Sequence, residues 1–105
     1  MEHLGHGRHI MIFMSRSDFL FFDMLGQRYR EKGEEFERVK DFASASTNYV
    51  VAGECFAKAE EIATSDMMVD HGVTRAKKGY CQRKAKETQE KSREQLAAAP
   101  CLSRK

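Results

Sequence analysis

Between Asp41 and Ala63 the apolar and small residues fall at Phe42, Ala45, Tyr49, Ala52, Phe56, Ala59 and Ala63. The gaps alternate three and four, so all seven share one stripe of an α-helix. Ser44, Thr47, Asn48, Glu54, Lys58, Glu60 and Glu61 lie between them and face elsewhere. Large rings alternate with alanines along the stripe. That pattern predicts a central helix with a neighbour packed closely on either side.

The flanking segments read as those neighbours. A first helix is predicted from about Ser17 to Val39, opened by a Ser15-x-x-Asp18 cap and striped by Phe22, Leu25/Gly26, Tyr29, Gly33, Phe36 and Val39. Gly26 and Gly33 each cost an isolated helix about 1 kcal/mol. Close approach of the alanine face of the second helix is the expected compensation. Phe19, Leu20 and Phe21 make the start of the first helix apolar all round, which predicts some exposed rings. Val39-Lys40-Asp41 is a turn with Asp41 as N-cap, and so short a connection makes the pair antiparallel. Ser65 to Gly72 reads as a linker. A third helix opens near Val73 and presents Val73, Ala76 and Tyr80. Beyond Tyr80 the stripe meets Lys84 and Glu87, so a solvated extension is expected, with a Glu87–Lys91 pair and an end before Pro100.

The chain therefore reads as an all-α, small antiparallel three-helix bundle. Residues 1–16 form a flexible leader, 17–90 the bundle and 91–105 a solvated helical or disordered tail. With 105 residues, 41% hydrophobic and 32% charged, there is room for one domain with one core. The apolar run Ile10–Met14 is too short for a membrane span or, interrupted by Ser15 to Asp18, for a signal peptide. Cys55, Cys81 and Cys101 are odd in number and lack a CxxC spacing, which predicts inert thiols in a reducing cytosolic compartment.

Charge is uneven. Residues 1–70 carry 8 Lys/Arg against 13 Asp/Glu, net −5, and residues 71–105 carry 10 against 3, net +7. The basic run Arg75, Lys77, Lys78, Arg83, Lys84 and Lys86 has only Tyr80 to stack a base, without the strong positive charge or reading motif of a nucleic-acid binder. His3, His6 and His9 recur every third residue but sit in a glycine-containing leader without a frame for a metal. A Gly-rich phosphate loop, a nucleophile elbow and an HExxH motif are all lacking. His71 falls in the polar linker, and Glu34, Glu35 and Glu37 read as helix surface. Enzymatic activity and a cofactor are not expected.

Two known patterns are close to these residues. Leu25-Gly26-x-x-Tyr29 and Ala52-Gly53-x-x-Phe56 are alike and similar to the first helix of tetratricopeptide units, but their offset is 27 rather than the required 34. The chain more strongly resembles the MIT (microtubule-interacting and trafficking) domain over about residues 20–88. Asp41-Phe42 stands at that family's first inter-helix turn. Ala45-x-x-x-Tyr49-x-x-Ala52-x-x-x-Phe56-x-x-Ala59 follows its second helix, and Gly26 and Gly33 fall where its first helix places alanines. Arg75-Ala76-Lys77 with Tyr80 and Arg83 is similar to its third helix. Arg83-Lys84-Ala85 departs by one residue from the usual pattern, and no leucine follows until Leu96.

The resemblance implies a non-enzymatic adaptor that binds helical or extended tails of endosomal-sorting (ESCRT) subunits, in the cytoplasm and near endosomes. An acidic amphipathic peptide would lie between helices two and three, against Ala76 and Tyr80, with Lys77, Arg83 and Lys84 supplying charge. The departure implies a groove more basic and less apolar than is usual for the family. The alternative is a tetratricopeptide-like or other helical scaffold fragment without a site of its own, and the rival binding class is a structural or repeat-type scaffold that docks another protein surface through Phe19, Phe21 and Phe22.

Overall fold

In the computed structural model, which describes residues 16–63 and 71–98, the chain forms three helices: α1 (Arg16–Arg38), α2 (Phe42–Ala63) and α3 (His71–Ala98). α2 lies in the middle and packs along its length against both neighbours, whereas α1 and α3 barely approach one another. The start of α1 meets the end of α2 through Phe19 against Ala59, Ile62 and Ala63. At the other end of the molecule Ser46 Oγ donates to Ala85 O, 3.2 Å away. Both neighbours therefore run antiparallel to α2.

The α1–α2 turn is built from main-chain hydrogen bonds. Asp41 N donates to Phe36 O (2.8 Å) and Lys40 N to Glu37 O (3.0 Å). This is the paired closure of a Schellman motif. Lys40 takes the left-handed residue of that motif, with φ 66°, a position that glycine fills more cheaply. Asp41 then serves both helices, because its Oδ1 accepts from Ser44 N (3.3 Å) as the N-cap of α2. Val39 lies past the last helical residue and is exposed, so it is not part of the α1 stripe.

From Ala45 onward the α2 stripe is buried as its spacing predicts, and its first member, Phe42, is half-buried. Ala45, Tyr49, Ala52, Phe56, Ala59 and Ala63 are all inaccessible to solvent. Gly53, Cys55 and Ile62 are buried as well, because α2 is covered on two sides and a single stripe cannot serve both. The two α1 glycines do not meet an alanine backbone. A Cβ at Gly26 would stand 2.8 Å from Phe56 Cε1, and one at Gly33 would stand 3.0 Å from Tyr49 Cδ1. The rings of α2 thus lie flat over the glycines of α1, and the alanines between them seat the neighbouring turns. Phe19 is buried, which removes it from any docking surface.

α3 begins earlier than its sequence suggests, so His71 and Gly72 are helical. Its inward face is also shifted by one residue. Val73 and Ala76 are exposed, and the buried row is Thr74, Cys81, Ala85 and Thr88. Hydropathy hides this row because threonine counts as polar. Inside the bundle, Thr88 Oγ1 donates to its own helix, with Lys84 O at 2.7 Å and Ala85 O at 3.2 Å, so its hydroxyl is satisfied. The row therefore does not collapse after Tyr80. Residues 91–98 continue the helix, largely solvated. Lys91 lies over the Phe42 ring (5.3 Å) rather than beside Glu87, and Gln95 Nε2 donates to Lys40 O (3.0 Å).

Two glycine substitutions should have opposite signs. Gly26→Ala gains helix propensity but drives a methyl into the wholly buried Phe56 ring, for a net loss of about 1–2 kcal/mol. Gly79→Ala meets nothing within 4 Å and should gain about 0.5–1 kcal/mol. Urea denaturation midpoints of the two variants against wild type measure both.

Candidate functional site

Two grooves flank α3, and its side chains are divided between them by helical angle. Lys77, Tyr80 and Lys84 project towards α1. Lys77 Nζ reaches Asp23 Oδ1 (3.1 Å), and Tyr80 Oη donates to Glu34 Oε2 (3.1 Å), which also accepts from Arg30 Nη1 (2.9 Å). Lys84 Nζ donates to Glu37 Oε2 (2.8 Å) and to Glu87 Oε1 (3.2 Å). The other oxygen of Glu37 accepts from Tyr49 Oη at 2.8 Å. The Tyr49 and Tyr80 rings meet edge to face at 6.4 Å. Glu34 and Glu37 are therefore not plain helix surface: they carry most of the contact between α1 and α3.

Charge and burial tune this seam. Burial alone would raise the Glu37 carboxyl, but the hydrogen bonds from Lys84 and Tyr49 outweigh it and hold it below the usual carboxylate range. The hydrogen bond to Glu37 holds Lys84 above the ordinary lysine value, against the opposing pull of burial. The Tyr49 phenol is pushed up, first by burial and then by Glu37. Above Tyr80, a groove of about 360 Å³ is lined by Gln27, Arg30, Glu34, Ala76, Lys77 and Tyr80. Its charges are already matched within the chain.

The second groove lies on the opposite edge of α3, between α3 and α2. Val50, Gly53, Glu54 and Ala57 of α2 and Gln82, Ala85 and Lys86 of α3 line a trough of about 480 Å³. Its floor is made of Gly53, Ala57 and Ala85, side chains short enough to admit the apolar face of another helix. Val50 stands on its wall with 46% of its surface exposed. Gln82 leans over Gly53, with Cγ 3.5 Å from where a Cβ would sit.

Of the five residues singled out from sequence, Ala76, Lys77 and Tyr80 line the α1-side groove, and Lys84 is spent on Glu37. The Arg83 guanidinium lies over the Tyr80 ring at 5.8 Å. None of the five lines the trough between α2 and α3. The one-residue shift of the α3 face explains this, because it turns Tyr80 towards α1 and brings Gln82 and Lys86 to α2. The α2 wall had a signal of its own: Val50, Gly53, Glu54 and Ala57 repeat at helical spacing beside the main stripe.

The two described thiols, Cys55 and Cys81, lack reactive character, and Cys101 lies outside the described residues. Burial pushes Cys81 up to about 11, and burial followed by the Glu54 charge raises Cys55, so neither supplies a thiolate at neutral pH. Among the described residues no group of three or more His, Cys, Asp or Glu is placed to hold a metal ion. His3, His6 and His9 lie outside them.

The seam makes a pH prediction. Glu37 has a lower pKa folded than unfolded, so its contribution is complete above about pH 4.3 and is lost as pH falls through the depressed folded value. Lys84 has the opposite sign: its contribution is complete below about pH 10.4 and is lost as pH rises through the raised value. Glu37→Gln should cost about 1–2 kcal/mol at pH 7. The gap to wild type should narrow below about pH 4, as read from urea melts across pH. A gap constant down to pH 2 would show that the carboxylate charge is not what holds the seam. No protein-family model, curated protein or solved structure matches this chain.

Proposed function

We propose that the chain is a non-enzymatic peptide-binding module, and that its ligand is an amphipathic helix seated in the trough between α2 and α3. The observation that carries this reading is the trough itself: an open channel floored by glycine and alanine, with an exposed valine on its wall. Helices that bury an apolar stripe use such channels, anchoring at i, i+3/i+4 and i+7. The resemblance to MIT domains points the same way and names a ligand class, the tails of ESCRT subunits. It also suggests a cytoplasmic adaptor recruited to endosomes through its partner. No described helix is long and apolar enough to cross a membrane, so any membrane association through these helices would be peripheral.

The trough is short and its rim solvated, so affinity in the micromolar range is expected, about −8 kcal/mol. A second reading, a scaffold that docks through α1, draws on the exposed Leu20, Phe21 and Met24 (52%, 56% and 61%). These lie on the outward face of α1, away from both grooves. Sedimentation separates the two, because a scaffold face that pairs with itself makes the mass depend on concentration.

Titration of labelled amphipathic helical peptides, ESCRT tails among them, tests the leading reading. Val50→Glu leaves the core intact and should weaken binding about tenfold or more, some 1.4 kcal/mol. Unchanged binding in that variant would move the site elsewhere, and no binding by a folded monomer would remove the module reading.

A further inference from the structure

The cations of α3 are not equivalent. Eight Lys and Arg residues lie along this helix. Arg75 and Lys78 both pair with Glu60, at 3.0 and 2.6 Å. Lys77 and Lys84 are tied to α1. Arg83 covers Tyr80 and Lys91 covers Phe42. Lys86 and Arg93 remain: both are exposed, and neither has an ion pair or ring contact among the described residues. The nearby acids Glu87, Glu90 and Glu94 pair with neither.

These two cations stand seven residues apart, two turns of helix and about 10.5 Å, on nearly the same angular position. Gln82 and Gln89 complete the row at helical spacing, so this edge of α3 reads Gln, Lys, Gln, Arg: Gln82 and Lys86 line the trough, and Gln89 and Arg93 continue the edge past its end, level with the start of α2. Lys86 is itself a lining residue of the trough. The one acid on the facing wall, Glu54, belongs to α2 and lies nearer the Gln82 end.

We infer that the helix bound in this trough runs on along the same edge of α3 and carries two acidic side chains seven residues apart, flanking its apolar stripe, which meet Lys86 at the trough and Arg93 beyond its end. The inference rests on the trough reading above and adds to it the ligand's charge pattern. Exposed ion pairs at a rim contribute modestly and are screened by salt. Their effect falls on selectivity among helices with the same apolar face, and on salt dependence.

Fluorescence anisotropy with three helical peptides tests it. All share one apolar stripe. The first carries glutamates seven apart beside the stripe, the second carries the same glutamates on the far face, and the third has glutamines in their place. The first should bind about tenfold tighter than the third at low salt, with the advantage fading as salt rises. The second should match the third. The double variant Lys86→Glu/Arg93→Glu, at exposed positions and checked for folding by thermal melt, should lose the preference and favour a lysine-bearing peptide instead. Equal binding of all three peptides, abolished by Val50→Glu, would overturn the charge pattern and leave the trough standing. No binding of any peptide to wild type would overturn both. Tighter binding of a duplex oligonucleotide than of the first peptide would assign the cationic row to phosphates and refute a helical ligand.

Discussion

The contact on which the bundle depends is the seating of two α2 rings over two α1 glycines. Phe56 lies on Gly26 and Tyr49 on Gly33, seven residues apart on both helices and in opposite order, as an antiparallel pair requires. Each ring removes roughly 2–3 kcal/mol of apolar surface from water, and each needs the space that a side chain on α1 would fill. The glycines weaken α1 as an isolated helix. They are tolerated because helix stability in a protein comes mainly from packing. Once this register is fixed, the alanines of α2 set the distance to α3, where Cys81 packs with Ala52 and Phe56, and Ala85 with Ala45 and Tyr49.

The same rings position the polar seam. Tyr49 is buried to its hydroxyl, and that hydroxyl finds Glu37 at the end of α1. Glu37 in turn holds Lys84 of α3, so one carboxylate links all three helices. The backbones of α1 and α3 remain apart, and long side chains span the gap. This seam consumes most of the positive charge on the α1-facing side of α3. The opposite edge, beside the trough, keeps its free cations and its shallow apolar floor. The two edges therefore differ: the charges of the tyrosine-lined groove are matched within the chain, and those beside the trough are not matched among the described residues.

How much of this was readable beforehand follows from the size of the side chains. Large rings at strict spacing mark α2 without ambiguity, and the Val39–Asp41 turn with its aspartate cap requires an antiparallel pair. α3 is harder. Its buried row is threonine, cysteine, alanine and threonine, none of which stands out against a charged background. The next apolar residues, Val73, Ala76 and Tyr80, define a competing stripe one residue away, and that displacement places Ala76, Lys77 and Tyr80 in the groove on the α1 side rather than between α2 and α3. The Schellman closure at Lys40 was hidden for a related reason: lysine in a left-handed conformation leaves no mark of the kind that glycine does.

The sequence by itself determined the helical class, the order and approximate limits of the helices, the central place of α2 and the excess of positive charge in the last third. These follow from local spacing and composition, which a linear chain displays directly. Only the tertiary structure decided which face of α3 turns inward, what fills the space at the glycines and which lysines and arginines are spent on internal partners. Those outcomes depend on residues 15 to 55 positions apart meeting in space, as Arg75 meets Glu60, Lys77 meets Asp23 and Gln95 meets Lys40. Helical spacing constrains neighbours within one helix and leaves the rotation of one helix against the next to packing.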